Sequence, residues 1–418
     1  MTAENRKRLA TLADALAAAI AVSLPWSTSA TGILVGLWFF TLVPVFRWEE
    51  LRREILTPAG GLPVLLVLLG VAGMLWADVT LLERWKGLDS FLKLLAIPLL
   101  LVQFQRSERG TWVFAGYLLS CVVLLVVTSI VIAVPPLAAT FLHFDNVVVK
   151  NAATQSGEFV ICIFSLLYLM MGPHEEKRSP WALACAAVIL AMLANIFYFS
   201  TGRTALVTIL VLFVLFVLLA LKIRNIKTIA GLLTAAIVLG IIAWMSSPYL
   251  RERTEALQTE TQRYEKANER TSTGERLEFW KKSAEFIWQA PVIGHGTGTI
   301  RTLFEKAAAG QTGAAGVAAA NPHNQTLAVG IQLGVVGIAV LWAMWIAHLL
   351  LFRRNNSLTA WVGLVIVVQN ITGSLFNSHL FDFVQGWMYV VGVGVAGGMA
   401  LREQTKLATE KEPEAQKL

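Results

Sequence analysis

The sequence predicts an all-α polytopic membrane protein of about twelve transmembrane helices with one large helical loop outside the bilayer. Three observations lead there. Hydrophobic residues fill 56% of the 418 positions and charged residues only 15%, where a soluble domain carries about a quarter. Apolar runs recur near the length of about 20 residues that a helix needs to cross a bilayer core. Lys and Arg collect in alternate short connections, as they do on the cytoplasmic side of inserted proteins.

The runs predict spans near 10–26, 30–46, 60–77, 91–105, 111–135, 156–173, 180–199, 203–222, 228–246, 324–351, 358–376 and 381–401. The chain therefore divides into helices 1–9 (1–246), a loop domain (247–323), helices 10–12 (324–401) and a tail (402–418). The basic run Arg6, Lys7, Arg8 precedes an apolar stretch with no small-residue cleavage site, which reads as a retained first helix. With that end inside, one set of short segments carries nineteen basic residues, Lys177, Arg178 and Arg354 among them. The opposite set carries five: Arg84, Lys86, Lys93, Lys150 and Arg203. Both termini are then cytoplasmic and the long loop outside. The loop's own ten basic residues are exempt from the rule, which applies to short connections.

The net charge of +7 belongs to this asymmetry and gives no reason to expect nucleic acid. Cys121, Cys162 and Cys185 lie in apolar runs without a CxxC and read as small packed hydrophobes. Fourteen Trp suit a protein that contacts membrane lipids at two interfaces.

Each basic residue on the translocated side calls for a reason, either snorkelling to headgroups or an anion to bind. Lys86 and Lys93 are seven apart with Ser90 between, so a helix places them on one face. The apolar run after Lys93 is short, so 79–93 reads as an interfacial segment that points Arg84, Lys86 or Lys93 at a site. Ser200-Thr201-Gly202-Arg203 is a small-residue turn before a helix; free N–H groups and a guanidinium there suit a phosphate or pyrophosphate.

In the loop, 250–270 reads as a polar helix. Ser272 and Glu275 read as a capping box, followed by an apolar stripe Leu277, Trp280, Ala284, Ile287, Trp288 that ends at Pro291. Arg276 falls in that helix's first turn, where a cation opposes the dipole unless it faces an anion. PVIGHGTGT is too glycine-rich for a helix and reads as a tight turn, with no preceding strand to make it a nucleotide motif. Residues 307–320 suit a mobile lid or a passive linker.

Asn321-Pro322-His323-Asn324 opens the tenth span. Asn321 reads as N-cap and Pro322 as the first helical residue, so His323 sits in the first turn, where the dipole disfavours its protonation. A neutral imidazole at a wet membrane surface can act as a general base. No zinc-ligand cluster or Ser-His-Asp set is visible, and the outer carboxylates, Glu158 and Asp382 included, have no metal-site spacing.

His323-Asn324, nine residues, Gly334, two residues, Gly337 resembles the His-Asn-x9-Gly-x-x-Gly signature of lipopolysaccharide O-antigen ligases and related polymerases. STGRTAL around Arg203, the loop's Arg276 and PVIGHGTG resemble the same superfamily. The leucine expected four residues after the first arginine stands at three, as Leu206.

The resemblance implies a metal-independent, inverting membrane glycosyltransferase of the GT-C type, with no cofactor. The donor it implies is an undecaprenyl-pyrophosphate-linked glycan and the acceptor is lipid A-core. His323 would then deprotonate the acceptor hydroxyl, while Arg203 and Arg276 hold the pyrophosphate. Arg84, Lys86, Lys93 and Asn324 are the further substrate-binding candidates. A polymerase or a protein O-glycosylating ligase would use the same donor. A transporter would place its ionisable groups at the midplane, where this sequence has almost none.

Overall fold

Within the described residues each apolar run of the sequence folds largely as helix. The computed structural model describes residues 2–142, 147–171, 181–200, 202–353 and 357–415; Lys177, Arg178, Thr201, Arg354 and Lys417 lie outside them. Among the described residues every regular element is helical. In chain order these are α1 (Ala3–Ser23), α2 (Thr28–Leu42), α3 (Trp48–Ile55), α4 (Pro58–Gly73), α5 (Leu81–Leu92), α6 (Ala96–Arg106), α7 (Gly110–Ala133), α8 (Pro135–Phe141) and α9 (Ala152–Met171). There follow α10 (Ala182–Tyr198), α11 (Arg203–Leu215), α12 (Ile226–Ser246), α13 (Pro248–Ala267), α14 (Ser272–Gln289), α15 (Ile300–Ala308), α16 (Gln325–Arg353), α17 (Leu358–Ser374) and α18 (Phe383–Ala415).

By length and composition eight helices among the described residues can cross a membrane, or nine if α3 and α4, which meet at 86°, form one span. α10 and α17 are apolar but only 17 residues long, and α1 opens on Glu4, Arg6, Lys7 and Arg8. One expectation changes. Residues 79–93 do not form a segment apart from a short span: α5, a 3-10 turn at Lys93–Leu95 and α6 continue as one apolar rod, Leu81–Arg106. Leu88, Phe91 and Leu94 are buried on that rod, so packing carries the helix through its polar first half.

The bundle is held by close backbone approach. A Cβ on Gly394, Gly397 or Gly398 of α18 would meet Leu100, Leu101 or Phe104 of α6. Lipid offers apolar side chains as good a home as protein does, so small residues that admit van der Waals packing are what join such helices. α17 is buried along almost its whole length. At one end of the bundle Arg109 pairs with Asp14 at 3.4 Å, and Arg106 and Arg402 pair with Glu50 and Glu108. The other end carries α13, α14 and α15, whose own small core of Phe279, Phe286, Ile300 and Phe304 packs on Ala328 and Ile331 of α16.

α16 is broken at Gly334, which has φ 62° and ψ −159°. The PVIGHGTG stretch is a turn, as its glycines require, with positive φ at Gly294, Gly296 and Gly298. It fits into the break. The N–H groups of His295 and Gly296 donate to the carbonyls of Ile331 and Gln332, each at 2.9 Å. In return Val335 and Val336 donate to Pro291 and Val292 at 2.8 and 3.3 Å. Thr297 then ties the turn to α4 through the Gly70 and Gly73 carbonyls at 2.6 and 3.1 Å. The glycines thus serve to exchange backbone bonds with a broken helix.

Candidate active site

Helix α16 starts at Gln325, later than the sequence suggests. Asn324 caps it, its Oδ1 accepting from the Leu327 N–H at 3.1 Å while its Nδ2 donates to the Leu375 carbonyl at 3.0 Å. Asn321 is not the cap. Its Oδ1 accepts from the His323 N–H at 2.8 Å and from the Ser378 hydroxyl at 2.6 Å. This local turn competes with helix formation, as Asn side chains do. His323 therefore precedes the helix, at φ 54° in the left-handed region.

The helix dipole is accordingly not the main cause of histidine neutrality here. Burial does most to lower the His323 pKa from its ordinary 6.5, and the positive charge of Arg276 adds to that effect. The hydrogen bond to Asn377 and the charge of Glu275 act the other way and do not overcome it. The His323 ring lies nearly parallel to Phe279 of α14, with centroids 6.2 Å apart.

His323 Nδ1 lies 2.8 Å from Asn377 Oδ1, and Asn377 Nδ2 donates to Asp382 Oδ2 at 2.7 Å. A carboxylate only accepts, so Asp382 fixes the amide with its oxygen towards the imidazole. Nδ1 then carries the proton and Nε2 offers a lone pair, the tautomer a base needs. Burial pushes the Asp382 carboxyl up to about 6 against the pull of Lys93. Asn377 went unread in the sequence, and Asp382 stood out only as an outer carboxylate. Nothing in a linear pattern links them to a histidine 54 positions before Asn377.

Arg203 is the first residue of α11. The turn before it is locked by Ser156 of α9, whose hydroxyl donates to the Ser200 carbonyl at 2.8 Å and accepts the Gly202 N–H at 3.0 Å. A Cβ on Gly202 would stand 2.9 Å from Ala153 Cα, so only glycine admits this approach. The Gly202 N–H is therefore taken, and anion binding falls to the Arg203 side chain rather than to open backbone. Its guanidinium reaches Thr273 Oγ1 at 3.4 Å and Glu260 Oε1 at 3.5 Å.

The cap of α14 is Thr271, one residue before the expected Ser272, and its Oγ1 accepts from the Gly274 N–H at 3.1 Å. Glu275 pairs with Arg270 at 3.2 Å instead of closing a capping box. Arg276 consequently lies just past the first turn. Burial lowers its pKa, the like charge of Arg203 lowers it further, and Glu260 counters. Of the expected apolar stripe, Ile287 packs on the core of α14–α16 while Ala284 and Trp288 face outward, Trp288 85% exposed. The buried face is Phe279, Lys282, Ser283 and Phe286, because the helix docks on α15 and α16 through phenylalanines that the expected stripe omits. Arg276 is thus near enough for its charge to act on both Arg203 and His323, which come from separate elements.

The other sequence candidates make contacts of their own rather than joining the two arginines. Arg84 donates to the Met74 and Val79 carbonyls at 2.8 and 3.1 Å and so closes the end of α4. Lys93 donates to the Phe381 and Asp382 carbonyls, both at 3.0 Å, and anchors the loop that carries Asp382. Lys86 lines a cavity of about 320 Å³ with Glu83 and Arg301 and, from the surroundings of His323, Asn321 and Asp382. Asn324 is committed to its cap and to α17. Residues 307–320 pack against α13 and α14: Ala314 is buried, its N–H donates to the Asn268 carbonyl at 2.9 Å, and Lys282 donates to Ala315. Among the described residues no three His, Cys, Asp or Glu side chains converge as a metal site.

Residues 187–342 match a family model described as O-antigen ligase. This stretch is of the O-antigen ligase family. It begins within α10 and ends within α16, so it takes in Arg203, Arg276, His323 and Gly334 and leaves Asn377, Asp382 and Lys93 outside. An uncharacterized protein of Haemophilus influenzae is 28% identical over 127 residues, which is 29% of this chain and 32% of that protein. The chain thus spans about a third of the length of that curated relative. The match of residues 187–342 to the O-antigen ligase family, together with many apolar helices among the described residues, supports a membrane protein, with ligase- or polymerase-type glycosyl transfer as that family's chemistry.

Proposed function

We propose that the protein is an O-antigen ligase. It transfers a glycan from undecaprenyl pyrophosphate to a hydroxyl of lipid A-core at the periplasmic face of the bacterial inner membrane. The observation that carries this reading is the assembly of Arg203 and Arg276 beside His323, with the His323 tautomer set by Asn377 and Asp382. Two guanidiniums suit a pyrophosphate leaving group because they offset the charge that grows on it as the glycosidic bond breaks.

His323 Nε2 takes the proton from the acceptor hydroxyl. The oxygen attacks the anomeric carbon from the face opposite the leaving group, so the configuration inverts. Asn377 keeps Nδ1 protonated throughout, and Phe279 holds the ring. In this reading the two arginines do the electrostatic work that a divalent cation does elsewhere. On the same reading α1, the α3–α4 pair, α10 and α17 are spans beside the eight long apolar helices, twelve in all, and the termini are cytoplasmic, 247–323 periplasmic and the arrangement of GT-C type.

The test is reconstitution. Purified protein in nanodiscs is given undecaprenyl-pyrophosphate-linked glycan and lipid A-core with EDTA present, as wild type, His323→Ala and Arg203→Ala. Glycan on lipid A-core with wild type alone is the expected result. Glycan that lengthens on the lipid carrier instead makes the chain a polymerase, and full activity of His323→Ala removes the base.

A further inference from the structure

Glu260 projects from α13 into the gap between Arg203 and the start of α14. Its Oε1 lies 3.5 Å from Arg203. Its Oε2 accepts from the Thr273 N–H at 3.0 Å and from the Thr273 hydroxyl. The Thr273 amide belongs to the first turn of α14, one of the donors that a helix leaves open at its N-terminus and that draw anions. Arg276 feels the same carboxylate. An anion that touches a helix N-terminus, a hydroxyl and one guanidinium, with a second near enough to feel its charge, has the surroundings of a bound phosphate. Here those surroundings hold a side chain of the protein itself.

We propose that Glu260 is a built-in competitor for the pyrophosphate, seated on Arg203 and the α14 N-terminus when the donor is absent and displaced when the donor binds. The idea rests on the reading of Arg203 and Arg276 as the pyrophosphate site. It adds that this site is never bare. Two like-charged guanidiniums near enough to act on each other repel, and an intramolecular carboxylate in contact with Arg203 offsets that repulsion before the donor arrives. After transfer the same carboxylate reclaims them, which speeds release of the doubly charged carrier. The residues around it suit exchange. Glu260 and Arg203 are each about a quarter exposed, their contact is long, and the polar helix α13 packs on few neighbours. Burial works against the charged carboxyl, yet the Thr273 and Arg203 contacts outweigh it and keep Glu260 below its ordinary range.

The experiment titrates inorganic pyrophosphate and undecaprenyl pyrophosphate into the full chain in nanodiscs, as wild type, Glu260→Gln, Glu260→Ala and Arg203→Ala. Both Glu260 variants should bind about three- to tenfold tighter than wild type, the range expected when one partly exposed charge contact is no longer in competition. Arg203→Ala should lose binding. Thermal unfolding confirms that each variant is folded, and the two Glu260 replacements guard against one of them failing. If Arg203→Ala loses binding while both Glu260 variants bind as wild type or more weakly, Glu260 only braces Arg203 and the competitor role is overturned. If wild type and both Glu260 variants bind neither ligand, the pyrophosphate site itself falls and the competitor role with it.

Discussion

Replacing Gly334 by alanine tests whether the break in α16 builds the site. At φ 62° and ψ −159° this residue occupies a region open essentially to glycine alone, and an L side chain there costs about 1–3 kcal/mol. The added Cβ would also stand 2.3 Å from the Val292 carbonyl oxygen, 2.4 Å from its carbon and 2.6 Å from the Ile293 nitrogen. All three are backbone atoms, so no rotamer change relieves the clash.

The chain's alternative is to straighten the helix. Val335 and Val336 would then regain their own i−4 carbonyls, and the Pro291 and Val292 carbonyls and the His295 and Gly296 N–H groups would lose their partners. Each buried group left unpaired costs about 1–3 kcal/mol. Either route exceeds about 3 kcal/mol, or more than a hundredfold in the folded fraction at about 1.4 kcal/mol per decade. The turn joins α14, which bears Arg276 and Phe279, to the helix that follows His323, so the base and the guanidinium should part before the fold is lost. Glycan transfer and thermal unfolding in nanodiscs measure the two effects. A Gly334→Ala protein with wild-type activity and stability within about 0.5 kcal/mol would refute the account of the break.

Two further predictions concern the base. Asn377→Leu keeps the bulk but removes the acceptor that holds Nδ1–H. It should lower kcat/KM about ten- to hundredfold, part of the roughly hundred- to ten-thousandfold that a positioned general base supplies, and add nothing on top of His323→Ala. An additive double mutant would separate Asn377 from the imidazole. The acidic limb of kcat/KM should lie below the ordinary histidine value of 6.5, since activity needs neutral His323 and is lost as pH falls through its lowered pKa. Arg276→Gln removes a positive charge that helps lower that pKa, so the limb should move to higher pH. An unmoved limb in a variant that still turns over would show that the two residues are not coupled.

Much of this protein was legible in one dimension. Composition and run length determine an all-helical membrane chain because a bilayer admits only apolar segments of sufficient length, and 56% hydrophobic residues leave no other home for them. Arg203, Arg276 and His323 were visible because each stands as a polar exception at the edge of an apolar or amphipathic run. The polar helix at 250–270 and the glycine-rich turn after Pro291 were readable too, since propensity and positive φ are local.

What the sequence could not decide is which polar groups face which. Arg84 and Lys93 have the same credentials as Arg203, yet carbonyls at the end of α4 and in the 381–382 loop take their protons. Asn377 and Asp382 become the histidine's support only because α17 and α18 bring their connecting loop against residues 321–323. Glu260 becomes an anion on Arg203 only through the docking of α13 on α14. Helix formation depends on neighbours a few residues away, whereas these pairings depend on bundle packing, and no period in the sequence encodes it.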